Sequence, residues 1–252
     1  MADRLVQLTV DDAVATITLD SQHNRNALST QLISELGASL DTAEAASPRA
    51  IVVRHEGPAF CSGADLKERA TAAAPDSSPM IRIMERLMDA ACPTIAAVDG
   101  AVRAGGMGIM ASCDLIVVNP SVTFSLPEVR IGVAPALVLV PLLRRVAPSL
   151  LAATTLTGEP IDAATAQRIG LVTHVAEDVA EQVAAIVANI KLGAPTAVTE
   201  SKRALWSVAG RDRAEALSAM KVLSESLFAR ADAQEGMRAF AEKRAPAWQN
   251  PA

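Results

Sequence analysis

The amino-acid sequence predicts an α/β protein with strands concentrated in its first part and helices in its last part. The β-rich runs 50–53 and 94–98 each lead into a glycine-containing turn and then a helix start. From Asp162 onward almost every segment has helical spacing. With 252 residues, half of them apolar, the chain is long enough for one large domain or for a core domain with an appended segment.

Composition argues against two classes of partner. The formal net charge is −5, and aromatic residues make up 2% of the chain, with no tyrosine. Nucleic acids bind to cationic surfaces and stack on aromatic rings, so we expect no nucleic-acid partner. The longest apolar stretch, 131–143, is interrupted by Pro135 and Pro141 and is too short to cross a bilayer. We therefore expect no membrane partner.

The cysteines and histidines indicate neither a disulfide framework nor a metal site. Cys61, Cys92 and Cys113 are odd in number and far apart, and no His-Glu-x-x-His pattern occurs. The first residues also lack the apolar region of a secretory signal. These observations favour a reduced, cytoplasmic protein without a metal.

The first elements follow from alternation and capping. Residues 5–10 and 13–19 alternate polar and apolar side chains around Asp11 and Asp12, which predicts a hairpin. Ser29 occupies the N-cap position of a helix with one apolar stripe. Further expected strands are 50–53, 94–98, 115–118 and 122–124, with a short run at 171–175. Further expected helices are 80–91, 163–169, 177–190, 196–208 and a long segment 213–243, and the Ala-, Pro- and Ser-rich stretch 70–78 is expected to be a mobile insertion.

The glycine-dense segment after the strand 94–98 is the centre of the functional prediction. A turn at Asp99 and Gly100 leads to Gly105, Gly106 and Gly108 at the start of a short apolar helix. Backbone without Cβ atoms lets a ligand approach closely, and the N–H groups of a helix start lack intrahelical acceptors. Such a segment suits an oxygen that becomes anionic, although close packing of the helix on a sheet is the commoner reason for such glycines. The spacing matches neither a dinucleotide-binding nor a phosphate-binding loop.

Several separated motifs together resemble the enoyl-CoA hydratase/isomerase family, the crotonases. The residues that carry the resemblance are 25–28, 59–68, 93–100 with Gly105 and Gly106, 113–114, 124–128, 156–158, 166–172 and 236–244. The resemblance covers nearly the whole chain. It implies a crotonase-like right-handed spiral of ββα units, with a core domain at 1–195 that holds the CoA and acyl site. It also implies a helical C-terminal region at 196–252 that joins subunits into a trimer or a dimer of trimers.

The resemblance also implies catalytic residues. The backbone N–H groups of Ala64 and Gly105 would be the oxyanion donors for a thioester carbonyl, and Glu128 would be the acid/base. The family's other glutamate falls on Gly108, which can neither hold a water nor move a proton. Hydration needs a base for water and an acid for the α-carbon, whereas double-bond isomerisation needs one carboxylate that moves a proton. We therefore rank isomerisation first and hydration second, with a weakly catalytic or non-catalytic acyl-CoA-binding protein as a third hypothesis.

Other readings of the same residues stay open. Ser125 and Glu128 fit a capping box, so the glutamate could close a helix N-terminus. Glu68 could replace the missing carboxylate, or it could be a first-turn helix charge. Arg103 could contact a charged acyl group, or it could be a solvated or intersubunit arginine. Where the family has a glycine-rich run, residues 132–140 carry bulky apolar side chains, which either fill the acyl pocket or pack a helix.

The resemblance places five residues near coenzyme A, which would enter only as part of the substrate. Arg25, Ala27 and Lys67 occupy family positions near the nucleotide. Phe240 and Lys243 lie on the terminal helix that would reach the ligand of an adjacent subunit. The cationic side chains would suit the phosphates, although surface solubility explains Arg25 and Lys67 as well.

Overall fold

The computed structural model describes residues 4–71 and 76–249. Residues 72–75 of the expected insertion lie outside the described residues. The strands are β1 (Val6–Asp11), β2 (Val14–Leu19), β3 (Ala50–His55), β4 (Ala59–Cys61), β5 (Thr94–Val98), β6 (Ala101–Arg103), β7 (Leu115–Val118), β8 (Thr123–Ser125), β9 (Ile161–Asp162) and β10 (His174–Val175). The helices are α1 (Thr30–Ala45), α2 (Leu66–Thr71), α3 (Ser78–Asp89), α4 (Gly105–Ala111), α5 (Leu139–Leu143), α6 (Pro148–Thr157), α7 (Ala163–Arg168), α8 (Val179–Leu192), α9 (Pro195–Ser207), α10 (Arg213–Phe228) and α11 (Ala231–Glu242), with short 3₁₀ helices η1 (Gln22–Asn24), η2 (Pro127–Ile131) and η3 (Ala247–Gln249).

Consecutive strands alternate between two sheets. The larger sheet has the order β1-β2-β3-β5-β7-β10, and the smaller has the order β4-β6-β8-β9. Each of the pairs β3–β4, β5–β6 and β7–β8 therefore places one strand in each sheet before the chain enters a helix. The strands from β2 to β10 in the larger sheet, and β4, β6 and β8 in the smaller, run parallel. This is the predicted spiral of ββα units.

Two apolar layers cover the larger sheet. The main core fills the space between the two sheets, α1, α3 and α4. On the opposite face, alternate side chains of β3, β5 and β7 pack against α8 through Val179, Val183 and Val187. Burial on both faces explains why β5 reads as an unbroken run of buried residues instead of an alternating one.

The sequence predicted the hairpin and the first helix correctly. Strands β1 and β2 pair in antiparallel register through a turn at Asp12 and Ala13, both of which have positive φ, as a two-residue hairpin requires. The Ser29 side chain accepts a hydrogen bond from the Leu32 N–H and caps α1. Two predictions need correction. The glycine loop 57–68 contains the strand β4, and the long helical segment 213–243 divides into α10 and α11.

The boundary predicted at residue 195 stays a prediction, although α9 begins at Pro195. Within residues 4–71 and 76–249, no helix has both the length and the apolar character needed to cross a bilayer.

Candidate active site

Three loops meet at one edge of the smaller sheet. Because β4, β6 and β8 run parallel and adjacent, their carboxyl ends lie on the same side. Ala64 follows β4, Gly105 follows β6 and Glu128 follows β8. Ligands of parallel sheets bind outside the carboxyl ends of the strands, so the topology brings the three predicted catalytic residues to the expected edge.

The Ala64 N–H points away from the neighbouring chain segment. Leu28 forms a parallel bridge with Ala64, in which the Leu28 N–H donates to the Gly63 carbonyl at 2.8 Å. The Leu28 carbonyl then accepts from the Asp65 N–H at 3.4 Å. In a parallel bridge one residue makes both hydrogen bonds, so the amide of Ala64 faces the other side and is open to a ligand.

Gly105 begins α4, so its N–H has no acceptor within the helix. Ala104, immediately before it, has φ 49° and ψ −121°, a conformation that alanine seldom adopts. This backbone turn lets β6 pass directly into α4. Gly105 is partly exposed, whereas the rest of α4 is buried, so a ligand can reach the first turn of the helix.

The two donor loops touch each other at their glycines. A Cβ built on Gly63 would lie 2.7 Å from the Ala104 Cβ and 3.7 Å from the Gly105 nitrogen. A Cβ built on Gly105 would lie 2.6 Å from the Leu28 Cδ1 and 3.9 Å from the Gly63 Cα. Side chains at Gly63 or Gly105 would force the loops apart. Close packing and access to the backbone amides are thus two consequences of the same glycines.

Glu128 lies in the second position of η2, beside the loop that carries Gly105. The Ala104 N–H donates to the Ser125 carbonyl at 3.0 Å and holds the two loops together. The Glu128 Oε2 atom is buried and accepts no hydrogen bond from the described residues. Burial raises the pKa of the Glu128 carboxyl, and a hydrogen bond from its own backbone amide opposes that rise. A half-buried carboxylate with an unpaired oxygen is poised to take a proton from a ligand.

The capping-box interpretation of Glu128 is wrong. Ser125 is the last residue of β8, and Leu126 occupies the N-cap position of η2 without a side-chain hydrogen bond. Ser125 and Glu128 therefore do not form a capping box.

Gly108 faces a wall of apolar side chains. A Cβ built on Gly108 would lie 2.8 Å from the Val138 Cγ1 and 3.1 Å from the Met84 Sδ. Val138, in the apolar segment 132–140, is buried in the main core. The space beside Gly108, which a longer side chain would need, is already filled, and the segment that supplies Val138 packs against α4.

Glu68 and Arg103 have other partners in this structure. The Glu68 Oε2 atom accepts hydrogen bonds from the Thr30 N–H at 2.8 Å and from the Thr30 Oγ1 at 3.0 Å. Glu68 thus holds the N-terminus of α1 against α2. The Arg103 guanidinium donates to the Val102 and Thr123 carbonyls and to the Thr123 Oγ1, and burial lowers its pKa.

Three of the predicted cofactor-binding residues lie beside the Ala64 loop. Ala27 is buried next to Leu28, and its N–H donates to the Asn24 Oδ1 at 3.3 Å. Arg25 is exposed, and its carbonyl accepts from the Ser62 N–H at 3.1 Å. Lys67 is exposed in the first turn of α2. Both cationic side chains are exposed to solvent.

Phe240 and Lys243 lie on α11 and at its C-cap. The Phe240 side chain is 89% exposed, so it packs against no loop of its own chain. Lys243 is also exposed. The single chain therefore does not bring these two residues to the three loops.

Two asparagines that support the site were not predicted as site residues. The Asn24 Nδ2 donates to the Asp65 Oδ2 at 3.2 Å, and the Asn24 carbonyl accepts from the Ser62 Oγ at 3.1 Å. Asn26, which is buried, donates through Nδ2 to the Ala59 carbonyl at 2.8 Å. A positive φ at Asn26 is the conformational signal of such a position, but sequence alone does not reveal it. In the part of the chain that the structure describes, no group of three or more His, Cys, Asp or Glu side chains could hold a metal.

Comparison with known proteins identifies the family. A profile of the enoyl-CoA hydratase/isomerase family matches residues 9–251. The chain belongs to the enoyl-CoA hydratase/isomerase family. It is 31% identical to the mitochondrial enoyl-CoA hydratase domain-containing protein 3 of Rattus norvegicus, over 97% of this chain and 84% of the rat protein. The predicted family is confirmed, and with it an acyl-CoA enzyme.

Solved structures of this enoyl-CoA hydratase/isomerase family share the fold. An enoyl-CoA hydratase of Mycobacterium smegmatis superimposes with a TM-score of 0.91 at 28% identity, covering 98% of this chain and 100% of the other. Human enoyl coenzyme A hydratase domain-containing protein 3 gives a TM-score of 0.92 at 28% identity, covering 97% and 100%. The predicted crotonase fold is therefore confirmed.

Proposed function

We propose that this chain isomerises 3-enoyl-CoA to 2-enoyl-CoA, with Glu128 as its single acid/base. The observation that carries the proposal is the packing at Gly108. A residue that can hold water is replaced there by bare backbone, and Val138 and Met84 fill the adjacent space. Of the two carboxylates that hydration would use, only Glu128 is present at its family position.

The proposed reaction needs only groups that the three loops supply. The thioester carbonyl accepts hydrogen bonds from the Ala64 and Gly105 N–H groups, which stabilise the negative charge that develops on its oxygen. Glu128 removes a proton from C2 and forms a conjugated dienolate. The protonated Glu128 then delivers that proton to C4, and the double bond moves from C3–C4 to C2–C3. The raised pKa of Glu128 suits a group that must both take and return a proton.

The apolar wall supports isomerisation over hydration. Val138 and Met84 lie beside Gly108, three residues after the proposed donor Gly105 in α4. A dienolate intermediate survives longer when water is kept from C3 and C4. An apolar wall without a second carboxylate neither binds nor activates the water that hydration consumes.

Hydration of 2-enoyl-CoA is the second candidate. It is favoured by the three relatives reported above, whose names all contain enoyl-CoA hydratase or enoyl coenzyme A hydratase. For this reaction another group would have to replace the carboxylate missing at Gly108. Glu68 is a poor substitute, because both of its hydrogen bonds go to Thr30.

The remaining assignments belong to the same proposal. Coenzyme A enters as part of the substrate, with Arg25, Ala27 and Lys67 near its nucleotide, and no other cofactor takes part. Phe240 and Lys243 contact the ligand of an adjacent subunit in a trimer or a dimer of trimers, which their exposure in the single chain supports. A cytoplasmic location fits the three cysteines, all of which are free and buried.

The deciding experiment is a ¹H NMR assay of the purified protein with 3-enoyl-CoA and, separately, with 2-enoyl-CoA. We expect isomerisation of the first substrate by the wild type and none by Glu128→Gln. Hydration of 2-enoyl-CoA without isomerisation would overturn the ranking. Binding of both thioesters without turnover would favour the acyl-CoA-binding protein instead.

A further inference from the structure

The orientation of Glu128 depends on the backbone of η2, because its Oε2 atom has no hydrogen-bond partner among the described residues. One end of η2 is fixed by β8, which pairs with β6. The other end is fixed at Gly132, which has φ 78°, and by the Val133 N–H, which donates to the Glu128 carbonyl at 3.1 Å. A further contact, with another element, also holds η2 in place.

That element is the C-terminal end of α6. The Arg130 Nε, two residues after Glu128, donates to the Thr157 carbonyl at 3.0 Å. The last carbonyls of a helix lack intrahelical donors and carry partial negative charge, so a guanidinium there is favourable. Arg130 therefore connects η2 to the last turn of α6.

Gly158 makes this connection possible. It caps α6 with φ 70°, and a Cβ built on it would lie 2.9 Å from the Arg130 Nε and 3.2 Å from the Pro127 Cα. Arg130 and Pro127 flank Glu128 in η2, and both pack directly against the bare backbone of Gly158. We call Arg130, Thr157 and Gly158 the η2 clamp.

We propose that Arg130 is a positioning residue that, through the η2 clamp, holds the Glu128 carboxylate in line with the substrate. This inference rests on the proposed role of Glu128 as the acid/base. Arg130 touches no reacting atom. Its effect on the reaction comes from the geometry of a 3₁₀ helix only five residues long.

The test compares Arg130→Met and Arg130→Lys with Arg168→Met. Arg168 is a matched control, because it is an exposed arginine whose Nη2 makes one hydrogen bond to Thr165 Oγ1 within its own helix. In Arg130→Met we expect kcat for 3-enoyl-CoA to fall at least about tenfold with KM within about twofold, since displacement by 1 Å can reduce a rate about 10²-fold. Arg130→Lys should recover part of the loss, and Arg168→Met should match the wild type.

A second readout does not depend on the reaction. Infrared difference spectra of protein labelled with ¹³C-glutamate, with Glu128→Gln as the reference, follow the protonation of this one carboxyl. In Arg130→Met the carboxyl should move toward solvent, and its midpoint of protonation should shift to lower pH. If the wild type isomerises no thioester, the proposed function fails, yet the spectra still decide the role of Arg130.

The outcomes separate positioning from general stabilisation. If Arg130→Met lowers only the melting temperature, with kcat and the Glu128 midpoint unchanged, the proposal is wrong. If Arg130→Met does not fold, Gly158→Ala disturbs the same clamp by a single methyl group and should show the same loss of kcat and the same shift. Unchanged kcat and midpoint in a folded Gly158→Ala variant would equally overturn the proposal.

Discussion

At the scale of single residues, Glu128 combines its proposed role in the reaction with a disadvantage for folding. Burial raises its pKa in the folded chain, so the ionised form is less favourable there than in the unfolded chain. Its contribution to stability is fully present below the pKa of the unfolded chain and is lost as pH rises through the raised folded pKa. At neutral pH the protein therefore keeps a carboxylate that folding disfavours.

Glu128→Gln is expected to melt at a higher temperature than the wild type at pH 7, while isomerisation is lost. The amide has no charge to desolvate, so the advantage should shrink as the pH falls through the raised pKa of Glu128 and be absent below the pKa of the unfolded chain. Differential scanning fluorimetry measures the melting temperatures across pH, and the ¹H NMR assay measures isomerisation. Glu177→Gln, at an exposed glutamate, is the control and should change neither property. Equal melting temperatures for Glu128→Gln and the wild type at every pH would contradict this account.

The packing at Gly108 gives a second prediction. Alanine is normally favoured over glycine in a helix by up to about 1 kcal/mol. Gly108→Ala should nevertheless destabilise the protein by about 1–3 kcal/mol, because the new methyl group overlaps Val138 and Met84. Adding Val138→Ala should recover part of this loss, which denaturant unfolding of the double-mutant cycle measures.

Gly37→Ala is the matched control for the Gly108 cycle. Gly37 also lies within a helix, but a Cβ there would meet only the Ile83 Cδ1, at an ordinary distance of 3.8 Å. We expect this variant to be neutral or more stable. If Gly108→Ala behaved like Gly37→Ala, the space beside Gly108 would not be filled, and the main support for a single-carboxylate site would be lost.

The sequence predicts those parts of the site that short motifs define, and it does not predict contacts between residues that are distant in sequence. The glycine turns at Gly63 and Gly105 and the position of Glu128 follow from short motifs that adjacent residues define. Val138 and Arg130 do not, because their roles depend on partners about 30 residues away, at Gly108 and Thr157. No spacing rule indicates that the segment 132–140 returns to cover α4.

At the scale of elements, α9 is joined to the core by a buried ion pair. The Lys202 Nζ lies 2.8 Å from the Asp114 Oδ2 and also donates to the Leu87 and Cys92 carbonyls. Asp114 further accepts from the Thr94 N–H and from the Trp206 Nε1. The Thr94 contact shows that Asp114 supports the start of β5. The link to α9 was not predicted, because nothing local to Asp114 indicates Lys202.

Asp114→Asn is expected to destabilise the protein by about 3–5 kcal/mol, because it leaves a buried lysine without its counter-charge. Adding Lys202→Met should reverse much of the loss, since the cation is then removed as well. Urea unfolding at one fixed protein concentration measures the free energy of unfolding of both variants.

Arg203→Met, at the next residue of α9, controls for a general effect of charge on this helix. Arg203 pairs with Glu200 at the surface, and loss of an exposed pair changes stability by only about 0–1 kcal/mol. If Asp114→Asn and Arg203→Met lowered the free energy of unfolding by similar amounts, the buried ion pair would contribute no more to stability than the pair of Arg203 with Glu200.

The sequence does not predict the bounds of elements whose ends have no strong local motif. Strand β4 has only three residues and lies within a glycine loop, so its pairing with β6 is what defines it. The break between α10 and α11 lies at Ala229 and Arg230, which are ordinary helix formers. Pairing with β6 sets the bounds of β4, and helix propensity does not account for the break between α10 and α11.

At the scale of the whole molecule, the C-terminal helices expose more apolar surface than a self-contained chain needs. No residue of α10 is buried. Large apolar side chains on α10 and α11 are exposed: Leu217, Val222, Phe228, Met237 and Phe240. Several large exposed apolar side chains on two consecutive helices are typical of an interface, and a second copy of the chain is the partner implied by the family resemblance.

The assembly prediction follows from that surface. Leu217→Glu with Val222→Lys should reduce the molar mass in solution from that of a trimer or hexamer to that of a single chain, because charged side chains oppose burial. Light scattering after size exclusion measures the mass. Val10→Lys, at an exposed apolar residue of β1, is the control and should leave the assembly intact.

The kinetics of the dissociated variant then test whether assembly contributes to substrate binding. Phe240 and Lys243 reach no loop of their own chain, so dissociation removes them from the ligand while Ala64, Gly105 and Glu128 stay in place. We therefore expect the dissociated variant to bind acyl-CoA more weakly, with a larger effect on KM than on kcat. A wild type that is monomeric at all concentrations would show the assembly prediction to be wrong. A dissociated variant with unchanged KM would show instead that Phe240 and Lys243 take no part in binding.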